Sequence, residues 1–321
     1  MKKILVNKNQ AGQRLDKLLF KILNNAPKSF IYKMLRKKNI VLNGKKAEGS
    51  EIVRQDDEIK LYLSDETINK FTAPITSVIT HCELDIIYED DNVLILNKPI
   101  GVLSQKAKEN DISMVEYIIS YIISSNQITK DELLSFKPGI CNRLDRNTSG
   151  ILIAGKTLVG LQEMARILRE KRLDKYYLCI VKGKLSDVKT ITGYLFKDKN
   201  SNKVTISSYK TDKSDYIVTQ YEPLICGDNY TLLQVKLITG KSHQIRAHLA
   251  GIGHPIIGDY KYGDRVVNDY FEKEYGLKAQ LLHSYRCVFP QLSGPLSNLS
   301  EKIFEATEPK VFRTIRNALF D

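Results

Sequence analysis

The sequence predicts an α+β protein in two parts, a small two-helix and hairpin module followed by a larger body on a mostly antiparallel, mixed sheet. Three observations carry this reading. The chain has 321 residues, enough for two domains. Apolar residues fall at helical spacing near the N-terminus and in short strand-like runs further on. Strand-like segments outnumber helical ones without alternating regularly with them, which argues against a doubly wound parallel sheet. The 42% apolar and 27% charged content is ordinary globular usage, which excludes a mainly disordered, collagen-like or coiled-coil chain.

Taken in order, residues 14–23 put Leu15, Leu18, Leu19, Ile22 and Leu23 on one side of a helix, and Pro27 ends that run. A second short helix follows from Ser29 to about Lys38, with Phe30, Ile31, Met34 and Leu35 facing inward. The pair Asn43-Gly44 between Ile40-Val41-Leu42 and Lys45-Lys46 predicts a hairpin. Residues 64–80 are polar and mixed and read as a linker, so the expected division is 1–63, 64–80 and 81–321. In the body, strands are expected at 93–96, 149–154, 176–181, 232–237 and 286–289. Helices are expected at 114–123 and 157–169, the latter with Leu158, Leu161, Met164, Ala165 and Leu168 on one face.

Charge separates the two parts. Residues 1–63 hold 15 basic against 6 acidic residues, a net +9, and the remaining residues 34 against 31, a net +3. Between Lys28 and Lys46 stand Lys28, Lys33, Arg36, Lys37, Lys38, Lys45 and Lys46 with no acidic residue among them. A single-sign run across a helix and a hairpin repels itself unless an anion binds, so these seven are expected to contact nucleic-acid phosphates.

The five cysteines are far apart and odd in number, which argues against a disulfide framework or a zinc site and fits a reducing compartment. No apolar stretch approaches the ~18 residues of a membrane span, and the opening Met1–Lys8 is too polar for a signal-peptide core. A cytoplasmic chain with no membrane association is expected.

Gly150-Ile-Leu-Ile-Ala-Gly155-Lys156-Thr157 fits the phosphate-loop pattern G-x-x-x-x-G-K-[ST] letter for letter. Its four intervening residues are apolar and belong to a strand, whose N–H groups are committed to a ladder rather than free to cradle phosphates. Three histidines, His243, His248 and His254, lie within twelve residues, but their spacing matches no common zinc pattern and no nearby Cys or Glu completes a set. They are expected to be structural, and no metal is expected.

Arg143 and Asp145, in Cys141-Asn-Arg-Leu-Asp-Arg-Asn-Thr-Ser-Gly150, are two apart and share a side in extended backbone, with Leu144 turned to the core. Lys175 and Tyr177 share a strand face. Alone, an Arg-x-Asp pair is an ordinary ion pair.

Together, however, these segments resemble known families. Residues 12–63 resemble the S4 RNA-binding domain. The ordered motifs Asn-Arg-Leu-Asp-x-x-Thr-Ser-Gly, Lys-x-Tyr-x-x-x-Val-x-Gly, Thr-Gly-Lys-Ser-His-Gln-Ile-Arg-x-His, Gly-His-Pro-Ile-Ile-Gly-Asp and Leu282-His283-Ser284 resemble the RluA family of pseudouridine synthases over residues 84–290, with the N-terminal module of its RluC/RluD branch. The sequence departs from many members at Asn142, where they carry His.

The resemblance implies an isomerase acting on RNA, most simply large-subunit ribosomal RNA, as a monomer without cofactor. It implies Asp145 as nucleophile, with ribose C1′ and uracil C6 both open as points of attack, Arg246 as its cationic partner, and Tyr177 against the uracil, placed to help remove the C5 proton. It also implies Arg143 as the wedge filling the space of a flipped base, with Lys175 beside the substrate.

Overall fold

The computed structural model describes residues 1–72, 83–130, 132–198 and 203–321. The chain forms two compact units. The first contains residues 1–83, 115–139 and 155–162, and the second the remainder. Among the described residues no helix is long and apolar enough to cross a membrane.

The first unit carries strand β1 (Lys2–Leu5), helices α1 (Leu15–Ile22) and α2 (Lys28–Arg36), and strands β2 (Ile40–Leu42), β3 (Lys45–Lys46) and β4 (Glu58–Leu61). The strands form an antiparallel sheet in the order β1-β4-β2-β3. Both expected helices form because their apolar stripes bury. Leu15, Leu18 and Leu19 of α1 and Ile31 of α2 are fully buried in one core with Ile40, Ile59 and Leu61, each such side chain contributing about 1.5–3 kcal/mol. The expected hairpin also forms, with Asn43 and Gly44 at φ 50° and 73°, the positive values of a type I′ turn.

The stretch read as a linker opens instead with helix α3 (Asp65–Phe71), capped by the Ser64 hydroxyl. Its Ile68 enters the same core, and Phe71 packs on Phe30 of α2, ring centroids 4.5 Å apart. Residues 73–80 of that stretch, and the expected boundary at 81, lie outside the described residues. Two hydrogen bonds tie the N-terminal loop to the segment 115–139 within this unit. The Asn7 side chain donates to Glu132 (2.7 Å) and the buried Gln10 to Ser135 (2.7 Å).

The body adds strands β5 (Ile86–Glu89) and β6 (Val93–Lys98), helix α4 (Met114–Ser124), strands β7 (Gly139–Ile140) and β8 (Ser149–Gly155), helix α5 (Leu158–Arg169), and strands β9 (Asp174–Lys182), β10 (Lys189–Lys197), β11 (Val204–Ser207), β12 (Asp215–Cys226) and β13 (Tyr230–Leu237). Helices α6 (Gln244–Gly251) and α7 (Arg265–Tyr275), strand β14 (Leu282–Val288), strand β15 (Ile303–Glu305) and helix α8 (Lys310–Phe320) complete it. The strands make one eleven-stranded sheet in the order β11-β10-β12-β13-β9-β14-β8-β6-β5, with β15 beside β14 and β7 beside β8. Every described pairing is antiparallel except β8 with β14, an α+β arrangement as expected.

The phosphate-loop match is this buried strand. All seven residues of β8 are buried. Gly150 has φ +109°, and a Cβ there would lie 2.1 Å from the Ser284 carbonyl oxygen on β14, while a Cβ at Gly155 would meet Leu161 at 2.6 Å. Close approach between elements, not phosphate binding, requires both glycines.

Candidate active site

In the second unit the loop between β7 and β8 and the loop between β13 and α6 wall a cavity of about 1040 Å³. The first loop is held from three directions. The Asn142 side chain behaves as a piece of backbone, donating to Ile151 C=O (3.2 Å) and accepting from Ile153 N–H (2.8 Å) on β8. Ser104 brackets Leu144, donating to its carbonyl (2.7 Å) and accepting from its N–H (3.0 Å). The fully buried Lys98 at the end of β6 donates to the carbonyls of Pro99 (2.7 Å), Val102 (2.8 Å) and Arg146 (3.1 Å). Burial pushes the Lys98 ammonium down to about 8, opposed by the negative charge of Asp145. With Leu144 buried, Arg143 and Asp145 both face the cavity.

From the opposite wall comes Arg246 of α6, with 9% of its side chain exposed. Its NH1 donates to Asp145 Oδ2 (2.8 Å), while Nε and NH2 form a two-point pair with the carboxylate of Asp259 (2.7 and 2.8 Å). Asp259, 1% exposed, also accepts from the N–H groups of Lys261 and Tyr262. Burial pulls the Arg246 guanidinium down, but its bonds to Asp259 and Asp145 outweigh that and raise it above its ordinary value. The guanidinium also lies over the Tyr262 ring, 5.3 Å from its centroid. A planar cation fixed on two anions and an aromatic face cannot rotate, so it fixes the direction of the Asp145 carboxylate.

His243 stands at the start of α6 in a left-handed conformation, φ 53°. Its Nδ1 shares a hydrogen bond with the Tyr262 hydroxyl (2.9 Å), and Nε2 faces Asp145 Oδ2 at 3.9 Å. Burial lowers its pKa, Asp145 opposes, and Arg246 and Lys261 add to the lowering. His248 instead bonds Thr219 and His254 the Lys182 carbonyl, so the three histidines serve three places.

Tyr177 and Lys175 of β9 both line the cavity. Burial pushes the Tyr177 phenol up to about 12, with a hydrogen bond from Ser284 opposing and the charge of Asp145 adding. Burial also lowers the Lys175 ammonium.

The cavity thus gathers Asp145, Arg246, Tyr177, Arg143 and Lys175. Sequence reasoning missed Asp259, Lys98 and the cavity position of His243. It also read the body as nearly neutral, whereas eight basic and two acidic side chains line this cavity. Lys28, Lys33, Arg36, Lys37, Lys38, Lys45 and Lys46 lie in the first unit, all exposed, and none forms an ion pair among the described residues. Among the described residues no three His, Cys, Asp or Glu side chains cluster as metal ligands.

Two family models match the chain, the RNA pseudouridylate synthase model over residues 92–251 and the S4 domain model over residues 13–59. An uncharacterized RNA pseudouridine synthase of Mycoplasma genitalium is 31% identical over 297 residues, covering 90% of each chain. The ribosomal large subunit pseudouridine synthase D of Borreliella burgdorferi is 36% identical over 248 residues, 76% of this chain and 72% of that one. In fold, the chain resembles human RNA pseudouridylate synthase domain containing 4, with a TM-score of 0.58 and 20% identity over 73% of this chain and 92% of that one.

Proposed function

Since the chain belongs to the RluA family of RNA pseudouridine synthases, we propose that it isomerises uridines of large-subunit ribosomal RNA and that Asp145 is the nucleophile. The reaction breaks the N1 glycosidic bond, turns the uracil and rejoins it through C5. Nothing is oxidised and no group departs beyond the C5 proton, which passes to solvent while N1 takes one up. Hydrolysis of a glycoside generally uses two carboxylates, one to activate water; here water must be kept out and the detached base retained, so one carboxylate in a closed pocket suffices.

The observation that carries this reading is the chain Asp145–Arg246–Asp259. Arg246 holds the Asp145 carboxylate through a charge-assisted hydrogen bond of 2.8 Å. Asp259 carries the compensating charge behind it, so the guanidinium serves as an oriented hydrogen-bond donor rather than a mobile counterion. Tyr177 enters as a neutral phenol whose ring packs against the uracil. A uridine stacked in RNA reaches this cavity only by flipping, and the exposed Arg143 beside Asp145 fills the vacated stack while Lys175 meets the substrate within. The basic face of residues 28–46 holds the RNA through phosphates, which position the strand without reading its sequence. Ribosomal RNA as target is supported by the name of the Borreliella burgdorferi relative.

Asp145→Asn tests the reading. The change is nearly isosteric but removes the anion, so tritium release from C5-labelled uridine in ribosomal RNA should vanish while filter binding of the same RNA stays within about three-fold, since phosphate contacts dominate affinity. Tritium release near the wild-type rate refutes the assignment.

A further inference from the structure

We propose that the end of helix α5, Arg169 with Lys171, is a second phosphate-binding element that grips the RNA backbone at the mouth of the cavity. The inference rests on the RNA-modifying function proposed above and extends it to residues that no motif marks.

Five described helices end with a residue in the left-handed conformation. After α7 and α6 it is Gly276, φ 67°, and Gly253, φ 86°, and after α4 it is Asn126, φ 57°. Both residue types tolerate that backbone. After α2 and α5 it is lysine: Lys38 at φ 60° and Lys171 at φ 55°. The two lysine ends share one hydrogen-bond pattern, which the ends of α4 and α6 also show. Lys38 N–H donates to Leu35 C=O (3.0 Å) and Asn39 N–H to Met34 C=O (2.9 Å); Lys171 N–H donates to Leu168 C=O (3.2 Å) and Arg172 N–H to Ile167 C=O (3.0 Å). The sequences run in parallel, Met34-Leu-Arg-Lys-Lys-Asn-Ile40 and Ile167-Leu-Arg-Glu-Lys-Arg-Leu173, each opening and closing on a buried apolar residue.

A cation near a helix C-terminus is favoured by the helix dipole, and that alone accounts for Arg36 and Arg169. It does not account for lysine at the one position where a Cβ is disfavoured and glycine would cap better. At α2 that lysine belongs to the basic segment proposed to hold RNA. At α5 it lines the cavity together with Arg169, Arg143 and Lys175. Arg169 and Lys171 are both exposed, and among the described residues neither side chain forms an ion pair or hydrogen bond. Two unneutralised cations at the rim of a pocket that admits one flipped nucleotide fit the phosphates flanking that nucleotide.

The test separates grip from scaffold, because Lys171→Gly removes the charge and relieves the backbone at once. Binding to large-subunit ribosomal RNA and to a short oligouridylate is followed against salt, beside thermal melting and turnover. Lys171→Gly should melt no lower than wild type while the slope of log affinity against log salt falls by about 0.7–1, with the loss in kcat/KM carried mainly by KM. Lys171→Arg, which keeps the charge, should restore the slope, and Arg169→Gln should lower it by a similar amount. An unchanged slope in Lys171→Gly and Arg169→Gln overturns the proposal, as does a loss of binding in step with a lower Tm. Repeating the salt series in the Asp145→Asn background keeps this result independent of catalysis: a flattened slope there supports the RNA contact whatever the chemistry, whereas failure of the unsubstituted protein to form pseudouridine in ribosomal RNA refutes the proposed reaction and leaves the contact standing.

Discussion

The basic face of residues 28–46 and the cavity around Asp145 both concentrate positive charge, and they use it in opposite ways. On the face, seven cations stand in solvent with no counter-ion among the described residues. In the cavity, Arg246 is nearly buried and fixed on two carboxylates. Exposed charge is screened beyond a Debye length of about 8 Å at physiological ionic strength, whereas a buried pair is screened far less. On the function proposed above, most of the affinity would sit in exposed charge that salt tunes, and the chemistry around a buried pair that salt barely reaches.

The largest effect that tests this contrast is expected at Asp259. Asp259→Asn leaves Arg246 without the carboxylate that aligns it, and breaking a buried pair costs about 3–5 kcal/mol. Turnover should fall roughly 100-fold as the nucleophile loses its orientation, and Tm should fall with it, while the salt slope of RNA binding stays at the wild-type value. Tritium release, melting and filter binding on one preparation decide the matter, and a flattened slope would erase the distinction between the two regions.

Next in size is the converse experiment. Replacing Lys28, Lys33, Lys37 and Lys45 by Gln should lower the salt slope by about 0.7 for each phosphate that the protein no longer neutralises. Substitution is a cleaner probe than truncation, because removing the module would strip Ser135 and Glu132 of their partners Gln10 and Asn7. Equal loss of turnover at saturating and limiting RNA would show that the face serves catalysis as well as binding.

A smaller effect follows from the histidines. Burial is the leading cause that lowers the pKa of His243, His248 and His283. The unfolded chain therefore binds more protons than the folded one at and below the ordinary histidine pKa of about 6.5. Stability rises with pH through that window and is lost as pH falls below it. Thermal melts at pH 5.5 and 7.5 should show the lower Tm at the acid end, and a Tm that rises on acidification would contradict the burial of these rings as neutral imidazoles.

The smallest effect is expected at Lys156. Because β8 is a buried strand, Lys156→Ala should modify RNA nearly as well as wild type, and the purified protein should hydrolyse no ATP. Strong ATPase activity abolished by this change would reassign Gly150–Thr157 as a phosphate loop.

What the sequence made legible depended on whether each element has two unlike faces. Helices α1 and α2 bury one stripe and expose the other, so their spacing announces them, and Asn43-Gly44 announces the hairpin. Strand β8 is legible for another reason, being apolar throughout. Helix α6 was not foreseen because Gln244 through Leu249 are all buried, so Gln244, Arg246 and His248 interrupt any apolar stripe. Strands β10 and β12 were missed because their exposed residues and Pro223, at a register shift, dilute the pattern. At the site, Asp145 and Arg246 were visible as motifs. Asp259 closes the motif Gly-His-Pro-Ile-Ile-Gly-Asp but its role was not legible, since its meaning lies in a side chain 13 residues away that only folding brings to it. The cations of the cavity were hidden by the near-zero balance of the body, because a sum of charges says nothing about where they gather.

The parallel seam between β8 and β14 governs when the protein becomes competent during its own synthesis. Two residue pairs join these strands, Ser149 with His283 and Gly150 with Ser284, and the Ser149 hydroxyl meets His283 Nδ1 across the join at 2.9 Å. The partners lie 134 residues apart. At about 5–20 residues added per second, β8 emerges roughly 7–27 s before the strand that pairs with it. Through that interval one edge of β8 is unpaired, an apolar template for any other chain on the same message. Arg246 likewise follows Asp145 by 101 residues, so the nascent chain carries the carboxylate proposed as nucleophile well before the cation that orients it.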